Sequence, residues 1–519
     1  MAILLDTTGA DASALRHTLK SLQAQLVEDW EAYVVPPSDE TLRTVLEDVA
    51  RRDMRLVLKG ERGAPWHTLL PAGRSEWTTV LCAGDKLPPH AIWHMDRALR
   101  DAPDVGFIYA DDDRLDARGR RSAPDFKPDW NPELFVARGD ADRAAWMRSS
   151  LVSRHSTAQS DPQVALLDLQ LQCLASLRAE AILHVPRILL HRTPTRPPEP
   201  TATAVVLSRF AQASGWHATV APTADGHFRV SAGRAADPLV SLIIPTRNQA
   251  ALVRQCIDSI LQKTRYPHYE ILLVDNGSDD PEALACFADY ARHPAVRLIR
   301  DDRPFNYSAL NNAAVDVARG SLIGLVNNDI EVITPEWLDE MVAIALRPGV
   351  GAVGAKLWYP DDRLQHGGVI TGFRGVAGHA HWGLGRTDGG YRDRALLPQA
   401  LSAVTAACLV LRRSAFDAVG GLDAENLAVA FNDVDLCLKL HAYGLRNVWT
   451  PYAELYHHES ASRGLDTTPA KKARFDAEVA HMHARWGARL QEDPHYNANL
   501  CMEHDSFLLA DPPRIAYPF

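Results

Sequence analysis

Asp329 stands at the end of an uninterrupted apolar run. Ser321-Leu322-Ile323-Gly324-Leu325-Val326, entered from Gly320, reads as a buried strand, and Asn327-Asn328-Asp329-Ile330-Glu331 follows it directly. A carboxylate at the carboxyl end of a strand sits where open α/β sheets bind ligands. There it can hold a hard divalent cation, and the cation can hold a diphosphate. Asp275 closes a second run, Tyr269 to Val274, and Pro245-Thr246-Arg247-Asn248 leaves a third, Leu239 to Ile244. Two polar clusters lie downstream, Asn432-Asp433-Val434-Asp435 and His457-His458. Each has a plainer reading. Asp329 can be a helix cap, Asp275-Asn276-Gly277-Ser278 a tight turn, Asp433 an acid at a helix N-terminus, and a histidine a packed or surface residue.

The elements that must position these groups alternate as in a doubly wound fold. Asn248 to Lys263 carries apolar residues at a helical period, Pro281 to Arg292 is a helix opened by acids, Val296 to Arg300 a short strand, and Ser308 to Arg319 a helix ended by Gly320. Parallel strands with right-handed crossovers are expected. The first 190 or so residues look like a faded copy of this plan. Ala2 to Leu5, Trp30 to Val35 and Trp77 to Leu81 read as strands, and Ala12 to Leu26 as a helix. Between the halves, Arg192 to Pro200 holds Pro194, Pro197, Pro198 and Pro200 and reads as a linker. A helix-like stretch, Ala204 to Ser214, and a strand at His227 to Ser231 follow it.

A chain of 519 residues is too long for one core. The expected divisions are 1–192, a linker over 193–237, a catalytic domain over 238–490 and a tail over 491–519. The net charge of −10 argues against nucleic acid as the main partner. Seven scattered cysteines without a CxxC pair read as reduced thiols rather than a disulfide framework. No segment reaches the roughly 18 to 20 apolar residues a membrane span needs, and Asp6 near the start, without a basic leader, argues against a signal peptide. A cytoplasmic enzyme is expected, with a peripheral place at the inner membrane and self-association left open.

At this point the sequence resembles a known family. Ser241-Leu242-Ile243-Ile244-Pro245-Thr246-Arg247-Asn248, Val274-Asp275-Asn276-Gly277-Ser278-Asp279, Asn327 to Glu331, Phe431-Asn432-Asp433-Val434-Asp435-Leu436 and His457-His458-Glu459-Ser460 occur in the order of family 2 glycosyltransferases. The likeness is to their bacterial surface-polysaccharide and rhamnosyltransferase-like branch, which has the GT-A fold, an α/β nucleotide-diphospho-sugar fold. It implies that Pro245, Thr246, Arg247, Asn248, Asp275, Asn276, Asn327 and Asn328 bind the donor, a UDP-, dTDP- or GDP-sugar. Asp329 and His457, the latter preferred over His458, would hold Mn²⁺ or Mg²⁺. Asp433 would be the general base of an inverting transfer, a role worth about 10²–10⁴ in rate. Asp435 is read as structural, tied to a neighbouring arginine. His366, His379, Trp382 and Thr405 fall where the acceptor binds, a glycan or lipid-linked glycan of surface polysaccharide synthesis. Asn327 and Asn432 stand where the family carries acids.

The first half has its own echoes, Tyr109-Ala110-Asp111-Asp112-Asp113 and Phe126-Lys127-Pro128-Asp129-Trp130-Asn131-Pro132. Its counterpart of the metal triplet reads Cys82-Ala83-Gly84, with no carboxylate before Asp85, and Asp111 to Asp113 reads as a solvated turn. A degenerate, non-catalytic GT-A-like domain is expected there. The rival reading is an inactive glycan-binding or scaffold subunit. A nucleotidyltransferase would need a glycine-rich basic loop where Pro245-Thr246-Arg247-Asn248 stands.

Overall fold

Val240 to Thr246 is apolar at nearly every position because both faces of the strand it forms are covered. Leu242 and Ile244 point into one core cluster and Ile243 into the other, and all three are fully buried. The structure is a computed structural model that describes residues 1–515 except 62–65, 71–74, 117, 156, 158, 160, 234–236, 459–467 and 504–506. Glu459 and Ser460 of the last sequence motif therefore lie outside the described residues.

The first of two large sheets contains β1 (Ala2–Asp6), β2 (Glu31–Val34), β3 (Leu56–Leu58), β4 (Trp77–Cys82), β5 (Phe107–Leu115), β6 (Arg121–Asp125), β7 (Ala145–Arg148) and β8 (Ile182–Arg192). Their order is β3-β2-β1-β4-β7-β5-β6, with β8 beside β5. A hairpin, β9 (Ala218–Pro222) and β10 (Phe228–Ala232), leads to the second sheet. That sheet holds β11 (Val240–Thr246), β12 (Tyr269–Asp275), β13 (Val296–Arg300), β14 (Leu322–Val326), β15 (Ile330–Val332), β16 (Val350–Trp358) and β17 (Leu364–His366). A small hairpin, β18 (Val369–Thr371) with β19 (Ala377–His379), precedes β20 (Gln399–Leu401), β21 (Cys408–Arg412) and β22 (Arg446–His457). The order is β13-β12-β11-β14-β21-β16-β22-β15, with β17 on β16 and β20 on β22.

The two sheets are copies. β3, β2, β1, β4, β7, β5 and β8 match β13, β12, β11, β14, β21, β16 and β22 in order and in direction. Both are mixed rather than all parallel, because β7 and β21 enter antiparallel to both neighbours. Gly320 lets β14 pass close to β11: a Cβ there would sit 2.6 Å from the Ser241 nitrogen.

Several expectations need correction. Asp111, Asp112 and Asp113 are not a solvated turn but lie on β5 with at most 2% exposure. Their charge is matched residue by residue: Asp111 with His184 at 2.8 Å, Asp112 with Lys127 at 2.9 Å and Arg192 at 2.7 Å, Asp113 with Arg121 at 2.6 Å and His191 at 2.7 Å. The stretch between the halves is also built in. Its helix, Pro200–Ala213, buries Leu207 and Phe210 with Val220 and Phe228 against Phe107 and Leu167 of the first domain. The tail after the last helix, Pro469–Gln491, is a wedge between the domains. Tyr496, Leu500 and Phe507 join Phe126 on one side and Ile370 and Phe373 on the other. Asn131 seals the join by exchanging two hydrogen bonds with the Ala400 backbone, at 2.8 and 2.9 Å.

Candidate active site

The carboxyl ends of β11, β12 and β14 open onto a cleft of about 460 Å³. Pro245, Thr246 and Arg247 line it from β11 and its loop, Asn276 from the end of β12, and Asn327, Asn328 and Asp329 from the end of β14. Thr405, Ala406 and Ala407 form part of the wall just before β21, and Asp433 and His457 complete it. Residues spread over more than two hundred positions thus meet because parallel strands deliver their ends to one edge of the sheet.

His457 ends β22, antiparallel to β15, and so faces Asp329 across one rung of the ladder (Ile330 pairs with His457). Its Nδ1 donates to Gln365 Oε1 at 2.7 Å in a buried contact. In the neutral ring that bond leaves Nε2 with its lone pair, 3.2 Å from Asp329 Oδ1. Asp329 is 5% exposed, and this oxygen receives no hydrogen bond. Two acceptors therefore face each other in a buried place. Their spacing suits neighbouring ligands on one octahedral ion, which at bonds of about 2.1 Å stand about 3 Å apart. The donor set fits a divalent cation that keeps further positions for water and phosphate, as Mg²⁺ does. His458 turns the other way, to Glu331 at 3.3 Å and Gln255 at 3.0 Å.

Asp433 lies in the first turn of the helix Asn432–Ala442. Its Oδ2 accepts from the Ala406 N–H at 3.0 Å and its Oδ1 from the Val434 N–H at 2.8 Å, which fixes the carboxylate at the cleft wall. Tyr307 passes beneath, its hydroxyl donating to the Ala406 carbonyl at 3.2 Å. Burial and the nearby charge of Asp433 push that phenol well above its ordinary pKa, so it stays a donor. Asp435 is fully buried and held by Trp486 at 2.8 Å, Lys439 at 3.1 Å and Arg485 at 3.2 Å, the structural role expected of it.

Some expected contacts do not reach the cleft. Asp275 receives Ser278 N–H at 2.9 Å and pairs with Arg300 at 2.5 Å, so both its oxygens are engaged. Asn248 ties the β11 loop to Asp279 and Asp280. The unpartnered acceptor at this end is instead the buried Asn276 Oδ1, which has no hydrogen-bond partner while Nδ2 holds the Asp301 and Arg303 carbonyls. On the acceptor side only Thr405 lines the cleft. His366 lies behind it, accepting from the Thr405 N–H at 3.4 Å and contacting His379 at 2.8 Å. Burial, and then His379 and His457 nearby, hold His366 far below the usual histidine pKa. Trp382 is 41% exposed on the surface, bonded to Tyr359. The sequence reading missed Gln365, Phe305, Tyr307 and Phe431. Gln365 stands beside His366 in a segment that resembles the family, but only the pairing of β16 with both β17 and β22 brings it to His457.

Residues 241–420 match the model of the family described as Glycosyl transferase family 2. The second domain belongs to that family. Over 99% of its length the chain is 39% identical to the uncharacterized protein y4gI of Sinorhizobium fredii, and over 96% it is 36% identical to the O-antigen biosynthesis protein RfbC of Myxococcus xanthus. It spans only 59% and 40% of those two proteins. Over 42% of the chain it is 29% identical to the N-acetylglucosaminyl-diphospho-decaprenol L-rhamnosyltransferase of Mycobacterium tuberculosis, covering 76% of that enzyme. Among the described residues no helix is long and apolar enough to cross a membrane. All seven cysteines are unpaired, six of them buried.

Proposed function

We propose that this chain transfers a sugar from a nucleoside diphosphate donor to a glycan or lipid-linked glycan acceptor in surface polysaccharide synthesis, with inversion and with a divalent cation. One observation carries the reading: the Asp329–His457 acceptor pair and the fixed carboxylate of Asp433 open onto the same cleft. Asp329 and His457 would hold Mn²⁺ or Mg²⁺, which when bound offsets the charge developing on the leaving diphosphate. Arg247 and Asn276 lie at the donor end of the cleft. Asp433 takes the proton of the attacking acceptor hydroxyl, and its two backbone N–H bonds keep the carboxylate aimed. The names of the Myxococcus and Mycobacterium relatives support an O-antigen-like product and a deoxyhexose such as rhamnose. A cytoplasmic site of action, peripheral to the membrane that carries the acceptor, belongs to the same reading.

Thermal-shift titration of UDP-, dTDP- and GDP-sugars with and without Mn²⁺ tests it. A ligand that binds only the folded state raises the melting temperature with its concentration over Kd. One nucleotide class should give a metal-dependent shift that Asp329→Ala loses. No shift with any donor at millimolar concentration would favour the scaffold subunit instead.

A further inference from the structure

Phe431 has a backbone that a phenylalanine does not choose. Its φ is +59°, in the left-handed region that a bulky side chain enters at a cost and a glycine enters freely. Such outliers persist where the surroundings hold them in place, and they gather at functional sites. Here the residue immediately precedes the helix Asn432–Ala442, and its side chain is one of the walls of the cleft. A second ring, Phe305, lines the same cleft at 46% exposure. Phe475, on the long helix Pro469–Gln491, packs against Phe431 with ring centroids 5.6 Å apart. Phe431 is half-buried and Phe305 open to water, so a ligand seated in the cleft would cover apolar ring surface.

Resting on the transferase reading above, we infer that Phe431 is the stacking face for the pyranose ring of the acceptor. Phe475 backs the ring and fixes its tilt. Phe431 is two residues from Asp433, so their Cα atoms are at most about 7 Å apart, a span that one monosaccharide bridges. A sugar lying on the ring presents a hydroxyl to the carboxylate while its C–H face covers the aromatic surface. The carboxylate of Asp433 and the Thr405 hydroxyl on the same cleft wall favour a hydroxylated ring over a lipid chain, which could return no hydrogen bond to them. The positive φ turns the ring toward the cleft at the point where the helix begins.

The test uses the full chain as wild type, Phe431→Leu, Phe431→Trp and Phe431→Gly. Leucine keeps apolar bulk without a stacking face, tryptophan keeps the face, and glycine removes the ring while relaxing the backbone, so at least one ring-less variant should fold. Saturation-transfer NMR with methyl α-D-glucopyranoside, methyl α-D-galactopyranoside and methyl α-L-rhamnopyranoside, in Mg²⁺ with UDP, dTDP or GDP, reports the contact directly. Wild type and Phe431→Trp should saturate the protons of one ring face of at least one glycoside, and Phe431→Leu and Phe431→Gly should not. With nucleotide-sugar and glycoside together, the ratio of transfer to donor hydrolysis should fall about tenfold in Phe431→Leu, the worth of one aromatic contact. Equal saturation in all four proteins overturns the inference. So does saturation of decyl phosphate, and of no glycoside, that depends on Phe431. Should wild type neither hydrolyse nor transfer any donor, the transferase reading fails, and Phe431-dependent glycoside saturation still supports the platform.

Discussion

His457 is held in one tautomer before any ligand arrives. Gln365 Oε1 takes the Nδ1 proton at 2.7 Å, and the lone pair left on Nε2 faces Asp329. Partners of this kind set ring orientation and basicity, and their loss typically weakens metal binding about 10–100-fold. Gln365→Leu should therefore weaken Mn²⁺ binding by that factor in a titration followed by electron paramagnetic resonance. Gln365→Glu, which still accepts from Nδ1, should not. An unchanged Mn²⁺ affinity in Gln365→Leu would show that His457 is not a ligand. The same scale explains the amide at 327. Asn327 Nδ2 lies 3.2 Å from His457 Nε2, so without a cation the amide donates to the lone pair that a bound ion would take, and it must release that nitrogen when the ion enters.

At the scale of elements, the two domains are locked through the short helix Pro132–Arg138 of the first and β22 of the second. Glu133 is 1% exposed and clasped by Arg446 through contacts of 2.7, 3.0 and 3.1 Å. Burial alone would raise the Glu133 pKa, but Arg446 overrides it and holds the carboxyl below its ordinary value. A depressed pKa means that the unfolded chain binds this proton more readily. The stability the pair contributes is thus complete above the ordinary glutamate value of about 4.3 and is lost as pH falls through the lower, folded value. Melting temperature followed downward from pH 6 should drop more steeply below about pH 4.3 in wild type than in Glu133→Gln. Parallel curves would show that the clasp adds nothing. Elements of this kind were only partly legible. Leu239 to Ile244 and Ser321 to Val326 announce themselves because strands covered on both faces are apolar throughout. Asp111 to Asp113 mislead for the opposite reason: their neutralising partners are at 121, 127, 184, 191 and 192, and only folding brings them together. Leu401 to Leu411 is apolar at most positions, yet it holds the end of β20, a stretch of cleft wall and most of β21. At the candidate site, Asp329, Asp433 and His457 are the residues the family resemblance singles out, and folding brings all three to one cleft. Asp275 was read as a ligand because nothing local shows that Arg300 already occupies it.

The duplication gives the whole molecule a built-in control. In the second sheet Ile330 pairs with His457, and in the first the isolated bridge Lys86–His191 takes the same place. The strand ladders, Trp77 on Arg148 and Leu322 on Arg412, keep Cys82-Ala83-Gly84 in step with Asn327-Asn328-Asp329, and the later bridge shifts the count by one residue so that Asp85 comes opposite Asp329. The carboxylate is thus retained in the copy, but a guanidinium stands against it. Arg143 pairs with Asp85 in a buried contact, and the Thr193 N–H adds a bond of 2.9 Å to the same oxygen. An arginine cannot dissociate or exchange as a metal ion does, so a charge of the same sign has been made permanent. Aspartates at equivalent positions should then respond in opposite ways. Asp85→Ala leaves Arg143 buried and unpaired, and should cost about 3–5 kcal/mol in urea unfolding while donor hydrolysis per folded molecule stays at the wild-type level. Asp329→Ala removes a carboxylate whose inner oxygen has no hydrogen bond, so it should leave unfolding nearly unchanged and abolish metal-dependent donor hydrolysis. Hydrolysis lost in a folded Asp85→Ala protein would mean that the first domain contributes to the chemistry, and that the arginine regulates a second site rather than retiring it.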